Sequence, residues 1–417
     1  MPNWKRSVAT TAIACSCVLG TTNASFLTSS FAATSVVPYV DDSALVSSTK
    51  TAQPEVNVSL AKEAKSAVIM DATTGKILYQ KNAHKELPMA SITKIMTMLL
   101  IMDAIHAGRV QWTDQVKTSE YAASMGGSQI FLEPNESMSV RDMVKGIAIA
   151  SGNDACVAMA EHLSGSEEAF VAQMNQKAKQ LGMNDTHFVN CNGLPAKNHY
   201  ASAHDIAVMS QALLQYPEIT KFTSVYSDYL RKGSAHPLWL VNSNKLVRFY
   251  DGVDGLKTGY TQEARYCLSA TAKKQGFRVI AVVMGEPKPP VRNAEVSGML
   301  NWAFSNYTSK LIYPQGHVVA KAKVSKGRVD KVEAVTAAPV GFVTQRAAKV
   351  SYETQIELMK MKAPVRQGDK VGELKVMVNH HMVAKVPLIA KTSVQKANFI
   401  QGFGKTVKKI ITFGTAD

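Results

Sequence analysis

The sequence predicts an α+β fold followed by a small all-β domain. Strand-like apolar runs sit at both ends of residues 66–307, and helical periodicity fills the interval between them. From residue 308 the pattern changes to short Val-rich alternating segments separated by Gly and Pro. Strands at both ends with helices between imply one sheet that gathers the beginning and the end of the larger body.

Residues 1–33 read as an export signal. Lys5 and Arg6 form a positive start, residues 8–20 are apolar or small, and Ser30-Phe31-Ala32 or Phe31-Ala32-Ala33 offers a small-x-small cleavage site. The apolar stretch is shorter than the roughly 20 residues that a membrane-spanning helix requires. Residues 34–65 form a lead-in arm rich in Ser, Thr, Val and Ala. A hairpin follows, with strands over 66–70 and 76–80 and a turn at Asp71-Ala-Thr-Thr-Gly75. After Pro88, the spacing of Ile92, Ile95, Met96, Leu99, Leu100, Met102 and Ile105 predicts a helix that starts near Ser91. Helical patterns continue to about residue 215. Residues 266–272 and 277–284 read as paired strands, and a last helix over 291–307 closes the body. The domains are thus 66–307, an all-β unit over 308–391, and a tail over 392–417. In the tail Phe399, Ile400, Phe403, Val407, Ile410 and Ile411 fall on one helical face, with Lys405, Lys408 and Lys409 mostly elsewhere. A basic amphipathic helix of this kind suits an anionic membrane surface.

Of the 417 residues, 47 are Lys or Arg and 32 Asp or Glu, a formal net charge of +15. Residues 1–307 hold 28 basic and 25 acidic side chains, whereas 308–417 hold 19 and 7. A nucleic-acid reader carries its basic patch on the body that reads, so this distribution argues against nucleic acid and for an anionic surface met by the last quarter of the chain. Cys15 and Cys17 leave with the signal. The remaining Cys156, Cys191 and Cys267 allow one disulfide at most and have no zinc-site spacing, and no cofactor motif is present.

Three short motifs carry chemistry. In Ser91-Ile-Thr-Lys94 a serine at a helix start lies one turn from a lysine, the spacing that a nucleophile and its base require if burial depresses the lysine pKa. The spacing alone is weak, because Ser47, Ser59 and Ser393 also precede a lysine by three residues. Ser151-Gly-Asn153 falls in the break between two helical patterns, where a hydroxyl can move a proton and an amide can hold a carbonyl. Lys257-Thr258-Gly259 stands at a strand end, with a cation and a hydroxyl for a carboxylate and a glycine that admits close backbone approach.

Together and in this order, the motifs resemble those of the low-molecular-mass penicillin-binding proteins, the serine-type D-alanyl-D-alanine carboxypeptidases. The resemblance extends through Leu87-Pro-Met-Ala-Ser-Ile-Thr-Lys94, Ala150-Ser-Gly-Asn-Asp-Ala155, Asn190-Cys-Asn-Gly-Leu194, His204-Asp205 and Asp254-Gly-Leu-Lys-Thr-Gly-Tyr-Thr261, and covers nearly the whole mature chain. It implies a penicillin-recognising domain with an antiparallel sheet and helices. It also implies that Ser91 attacks the bond between two D-alanines, Lys94 takes its proton, Ser151 passes a proton to the leaving amine, and Asn153 binds the acyl side. Lys257 and Thr258 hold the terminal carboxylate, the N–H groups of Ser91 and Tyr260 form the oxyanion hole, and Arg292 assists with the carboxylate. The implied partners are peptidoglycan stem peptides, with β-lactams as covalent inhibitors, on the extracytoplasmic face of a bacterial membrane, either a Gram-positive surface or a periplasm. His199, His204 and His236 have no role in this mechanism and read as structural; Cys156 reads as a buried inert thiol.

Two other functions compete. A class A β-lactamase shares the motifs but also carries a deacylating Glu-x-x-Leu-Asn, which is absent here, and ends soon after the last helix of the body. A non-catalytic sensor of β-lactams or wall peptides would keep Ser91 and deacylate extremely slowly.

Overall fold

The computed structural model describes residues 59–397. The export signal, most of the lead-in arm and the amphipathic tail lie outside these residues.

The sheet of the larger body contains β1 (Ser66–Asp71), β2 (Ile77–Lys81), β3 (Val253–Thr261), β4 (Arg265–Lys274) and β5 (Phe277–Glu286), in the antiparallel order β2-β1-β5-β4-β3. The first and last strands of the body are therefore neighbours, with β1 paired to β5 from Ser66↔Met284 to Asp71↔Val279. Side chains alternate across a strand, and this sheet uses both faces. Val68, Met70, Ile280, Val282 and Met284 pack with the helices on one side. Ala67, Ile69, Val279, Ala281 and Val283 pack on the other, against the last helix.

Helices α1 (Lys94–His106), α2 (Asn153–Ser164), α3 (Glu167–Gln180) and α4 (Ala203–Leu213) lie on the first side. Every residue of α1 from Lys94 to Met102 is buried, so this helix is enclosed by its neighbours and lacks a solvent stripe. Helix α5 (Pro289–Asn306) covers the second side through Val296, Met299, Leu300, Ala303 and Phe304, spaced by helical turns. Two short antiparallel strand pairs, Gln115–Lys117 with Ser137–Ser139 and Ser227–Leu230 with Leu238–Val241, escaped the sequence reading because strands of three or four residues leave no periodicity to detect.

Helix α5 passes directly into the strand Tyr307–Tyr313 of the all-β domain. Arg346 of that domain donates from Nε and Nη2 to Phe304 O at 3.2 and 2.8 Å, which sets a guanidinium on the carbonyl end of α5. A six-stranded sheet and a two-stranded sheet enclose a core of Val324, Val332, Phe342, Val371, Leu374, Val376 and Leu388. Pairing continues past residue 391: Val394 bridges Val365 and Lys396 bridges Gly327.

Candidate active site

Ser91 lies in a short 3-10 turn, Ala90–Thr93, and α1 proper begins at Lys94. The serine does not cap the helix with its side chain. Ala90 has φ +49°, in the left-handed region, and Gly193 behind it has φ +87°. A Cβ at position 193 would stand 2.1 Å from Ala90 O and 2.9 Å from Ser91 N, so only glycine fits there. Thr93 Oγ1 donates to Ala90 O at 2.8 Å and lies 2.7 Å from His199 Nε2. The Val189 N–H donates to His199 Nδ1 at 3.0 Å. That donor makes Nδ1 the acceptor, so Nε2 bears the ring proton and faces Thr93. Burial pushes the His199 pKa down to about 4, and the neutral imidazole braces the turn as a structural element.

Lys94 Nζ is 3.0 Å from Ser91 Oγ. It donates to Asn153 Oδ1 at 2.6 Å and to the Asn192 carbonyl, and it is fully buried. Burial lowers its pKa, although the buried thiols of Cys156 and Cys191 and the carboxylate of Asp154 oppose the shift. The two acceptors use both N–H bonds of a neutral amine and leave its lone pair for the serine hydroxyl.

Asn153 opens α2, and its Nδ2 donates to Gly126 O at 2.7 Å. Next to it, Asp154 accepts the N–H groups of Ile130 and Leu132, which fastens the 126–132 loop beside the site. Ser151 follows a π-helical turn, Gly146–Ala150, and has φ +63° and ψ +33°. A non-glycine residue in this conformation is strained, and such strain collects at functional sites. Its Oγ is buried and has no hydrogen-bond partner among the described residues.

Strand β3 is the sheet edge that meets the serine turn. A Cβ at Gly259 would lie 2.7 Å from Met89 O and 3.2 Å from Ala90 Cβ, so glycine is what lets the strand approach. Lys257 is buried and donates to the Thr258 carbonyl at 3.0 Å. Burial, together with the positive charges of Lys94 and Arg292, pushes its pKa down to about 7. Thr258 Oγ1 is 2.5 Å from Ser243 Oγ, a contact no sequence motif signals. The Tyr260 ring is half exposed and stacks on Tyr266 at a 4.3 Å centroid distance.

Arg292 is buried, unlike a solvated charge at a helix start, and among the described residues its side chain donates only to Asn293 Oδ1. Lys94, Lys257 and Arg292 are thus three buried basic side chains without a salt-bridged carboxylate among the described residues. Such a group selects an anionic ligand. Cys156, Cys191 and Cys267 are free and buried, and burial pushes the Cys156 thiol up to about 12. His204 pairs with Asp205 at 3.0 Å and stacks on His84 at 4.7 Å. Ser393, one of the accidental motif matches, accepts the Gln367 N–H in a turn of the all-β domain.

A model of the family described as D-alanyl-D-alanine carboxypeptidase matches residues 48–288, and one for the penicillin-binding protein 5 C-terminal domain matches 307–396. The chain is 51% identical over 350 residues to the D-alanyl-D-alanine carboxypeptidase DacF of Bacillus subtilis (strain 168), covering 84% of this chain and 90% of that protein. Among solved structures, penicillin-binding protein 5 from Haemophilus influenzae superposes with a TM-score of 0.65 at 29% identity, over 81% of this chain and 99% of that one. The ampicillin-bound penicillin-binding protein D2 of Listeria monocytogenes matches with a TM-score of 0.53 at 30% identity, over 58% and 98% of the two chains.

Proposed function

Because the chain belongs to the D-alanyl-D-alanine carboxypeptidase family and is a serine-type peptidase of that activity, we propose that Ser91 is its nucleophile and Lys94 the base. The observation that carries this reading is the Lys94 amine, 3.0 Å from Ser91 Oγ with its other contacts made to two carbonyl oxygens. Ser91 Oγ attacks the carbonyl between the two D-alanines while its proton passes to Lys94 Nζ. The N–H groups of Ser91 and Tyr260 hold the oxyanion, each such donor lowering the barrier by about 3–4 kcal/mol. Collapse of the tetrahedral species breaks the C–N bond, and the leaving amine takes a proton through Ser151. Water then hydrolyses the acyl-enzyme. Asn153 holds the acyl side, while Lys257, Thr258 and Arg292 bind the terminal carboxylate. Gly259 keeps the edge of β3 close enough to the serine turn for both to face one substrate.

The substrates on this reading are peptidoglycan stem peptides, and β-lactams acylate the same serine. Incubation with a D-alanyl-D-alanine-terminated peptide tests it. Steady release of D-alanine is expected, whereas rapid β-lactam turnover without D-alanine would point to a lactamase and stoichiometric acylation alone to a sensor.

The lowered Lys257 pKa gives a pH consequence. The free lysine is charged below about 7 and loses its proton above it. A bound carboxylate favours the charged form, so binding at pH 8 takes up a fraction of a proton. Calorimetry of the peptide with a Ser91→Ala variant, in two buffers of different ionisation enthalpy, measures this uptake. A binding heat independent of buffer would count against the carboxylate role.

We also propose export through residues 1–33 and peripheral membrane attachment through the tail, supported by the basic amphipathic pattern of residues 399–411. Truncation after residue 397 is expected to release active enzyme into the soluble fraction. Retention of the truncated enzyme on membranes would overturn the attachment.

A further inference from the structure

The turn that carries Ser151 is packed against one side chain, that of the fully buried Ile130. A Cβ at Gly146, the first residue of the π-helical turn, would stand 2.8 Å from Ile130 Cγ2, and one at Gly152 would stand 3.2 Å from the same atom. The Gly152 N–H donates to Gly146 O at 3.2 Å, so the two glycines close the turn around Ser151 while Ile130 fills the space against both. Interiors are close-packed, and a displacement of Ile130 is therefore passed on to the turn.

Ile130 is itself held by both of its backbone groups. Its N–H donates to Asp154 Oδ2 at 3.0 Å, and its carbonyl accepts Arg231 Nη1 at 3.0 Å. Arg231 Nη2 reaches the next carbonyl, that of Phe131, also at 3.0 Å. The remaining side of the guanidinium pairs with Glu136, at 2.8 Å from Nε to Oε1 and 2.9 Å from Nη2 to Oε2. Every guanidinium nitrogen thus has an acceptor, and a planar fork bound on all sides has a fixed orientation. The strand that delivers Arg231, Ser227–Leu230, grips the turn at a second place. Its Asp228 Oδ2 lies 3.0 Å from Lys145 Nζ, and Lys145 immediately precedes Gly146.

We propose that Arg231 is a positioning residue: its guanidinium holds Ile130 against the Gly146–Gly152 turn and so keeps the Ser151 hydroxyl where it delivers a proton to the leaving amine. The inference rests on the proton-transfer role given above to Ser151. An amide needs that proton as its C–N bond breaks. A thioester does not, because its C–S bond breaks to release a stable thiolate. Loss of the Arg231 contacts therefore affects the two kinds of substrate unequally.

Arg231→Gly suits the test, since Arg231 has φ +53° and glycine adopts that conformation without strain. Its kcat/KM for a D-alanyl-D-alanine peptide is expected to fall about 10- to 100-fold, the scale of a displacement of roughly 1 Å in a catalytic group. For a thioester of the same acyl group the fall should be smaller by about tenfold or more, because no general acid is required. Glu136→Gln keeps the fold of the loop less burdened and loosens the guanidinium by removing its charged partner. It should show the same inequality on a smaller scale. Equal effects on the two substrates in either variant, the signature of a merely structural role, overturn the proposal. So does an Arg231→Gly peptide rate within about twofold of wild type. A Ser151→Ala variant that loses equally on amide and thioester overturns the proton role of Ser151 itself, and that of Arg231 with it.

Discussion

A Ser91→Ala variant is expected to release no measurable D-alanine and to form no covalent adduct with a β-lactam. Loss of a serine nucleophile costs on the order of 10⁵–10⁶ in rate. Neither Lys94 nor Ser151 can take over, because neither carries an acyl-accepting oxygen at the position braced by Gly193, Thr93 and His199. The alanine should be accommodated without rearrangement, since Ser91 supplies no helix cap and the turn is held by its backbone. Intact-protein mass spectrometry after penicillin treatment, with a melting curve as control, reads both halves. An adduct on a folded Ser91→Ala protein would move the nucleophile elsewhere.

Replacing Lys94 with methionine is the second large effect. The variant keeps the apolar bulk of a fully buried side chain and removes the proposed base. Acylation by a β-lactam is expected to slow by about 10³–10⁴, the upper range for a positioned base. Stability responds to opposing terms. The buried amine disappears, which removes a desolvation cost, but Asn153 Oδ1 and the Asn192 carbonyl lose their donor, at about 1–3 kcal/mol for each buried group left unsatisfied. Lys94→Arg is not expected to rescue acylation, since a guanidinium stays protonated and cannot accept the serine proton. Stopped-flow acylation kinetics separate these cases, and a methionine variant that acylated within tenfold of wild type would remove Lys94 from the role of base.

The parts of this site legible in the sequence were those that chemistry ties to residue type and spacing. Ser91 and Lys94 touch because three residues make nearly one helical turn, even though the turn is 3-10 at the serine. The sheet that joins residues 66–81 to 253–286 followed from strand patterns at both ends of the body. What remained hidden was the support. The Asn192 carbonyl, the fit of Gly193 behind Ala90, and the contact of Ser243 with Thr258 depend on loops whose conformation has no period. Arg231 illustrates the limit: it donates to the carbonyls of Ile130 and Phe131 from a hairpin 100 residues away along the chain.

The buried cations of the site bear on stability as well as on recognition. Lys94, Lys257 and Arg292 were taken out of water with no salt-bridged carboxylate among the described residues, and burial lowers the pKa of each. The empty enzyme is therefore less stable than its packing alone would allow. An anionic ligand relieves that cost, so occupancy and resistance to unfolding are thermodynamically linked. Under heat or proteolysis, a population of these molecules should lose its unoccupied members first and keep those engaged with substrate or inhibitor.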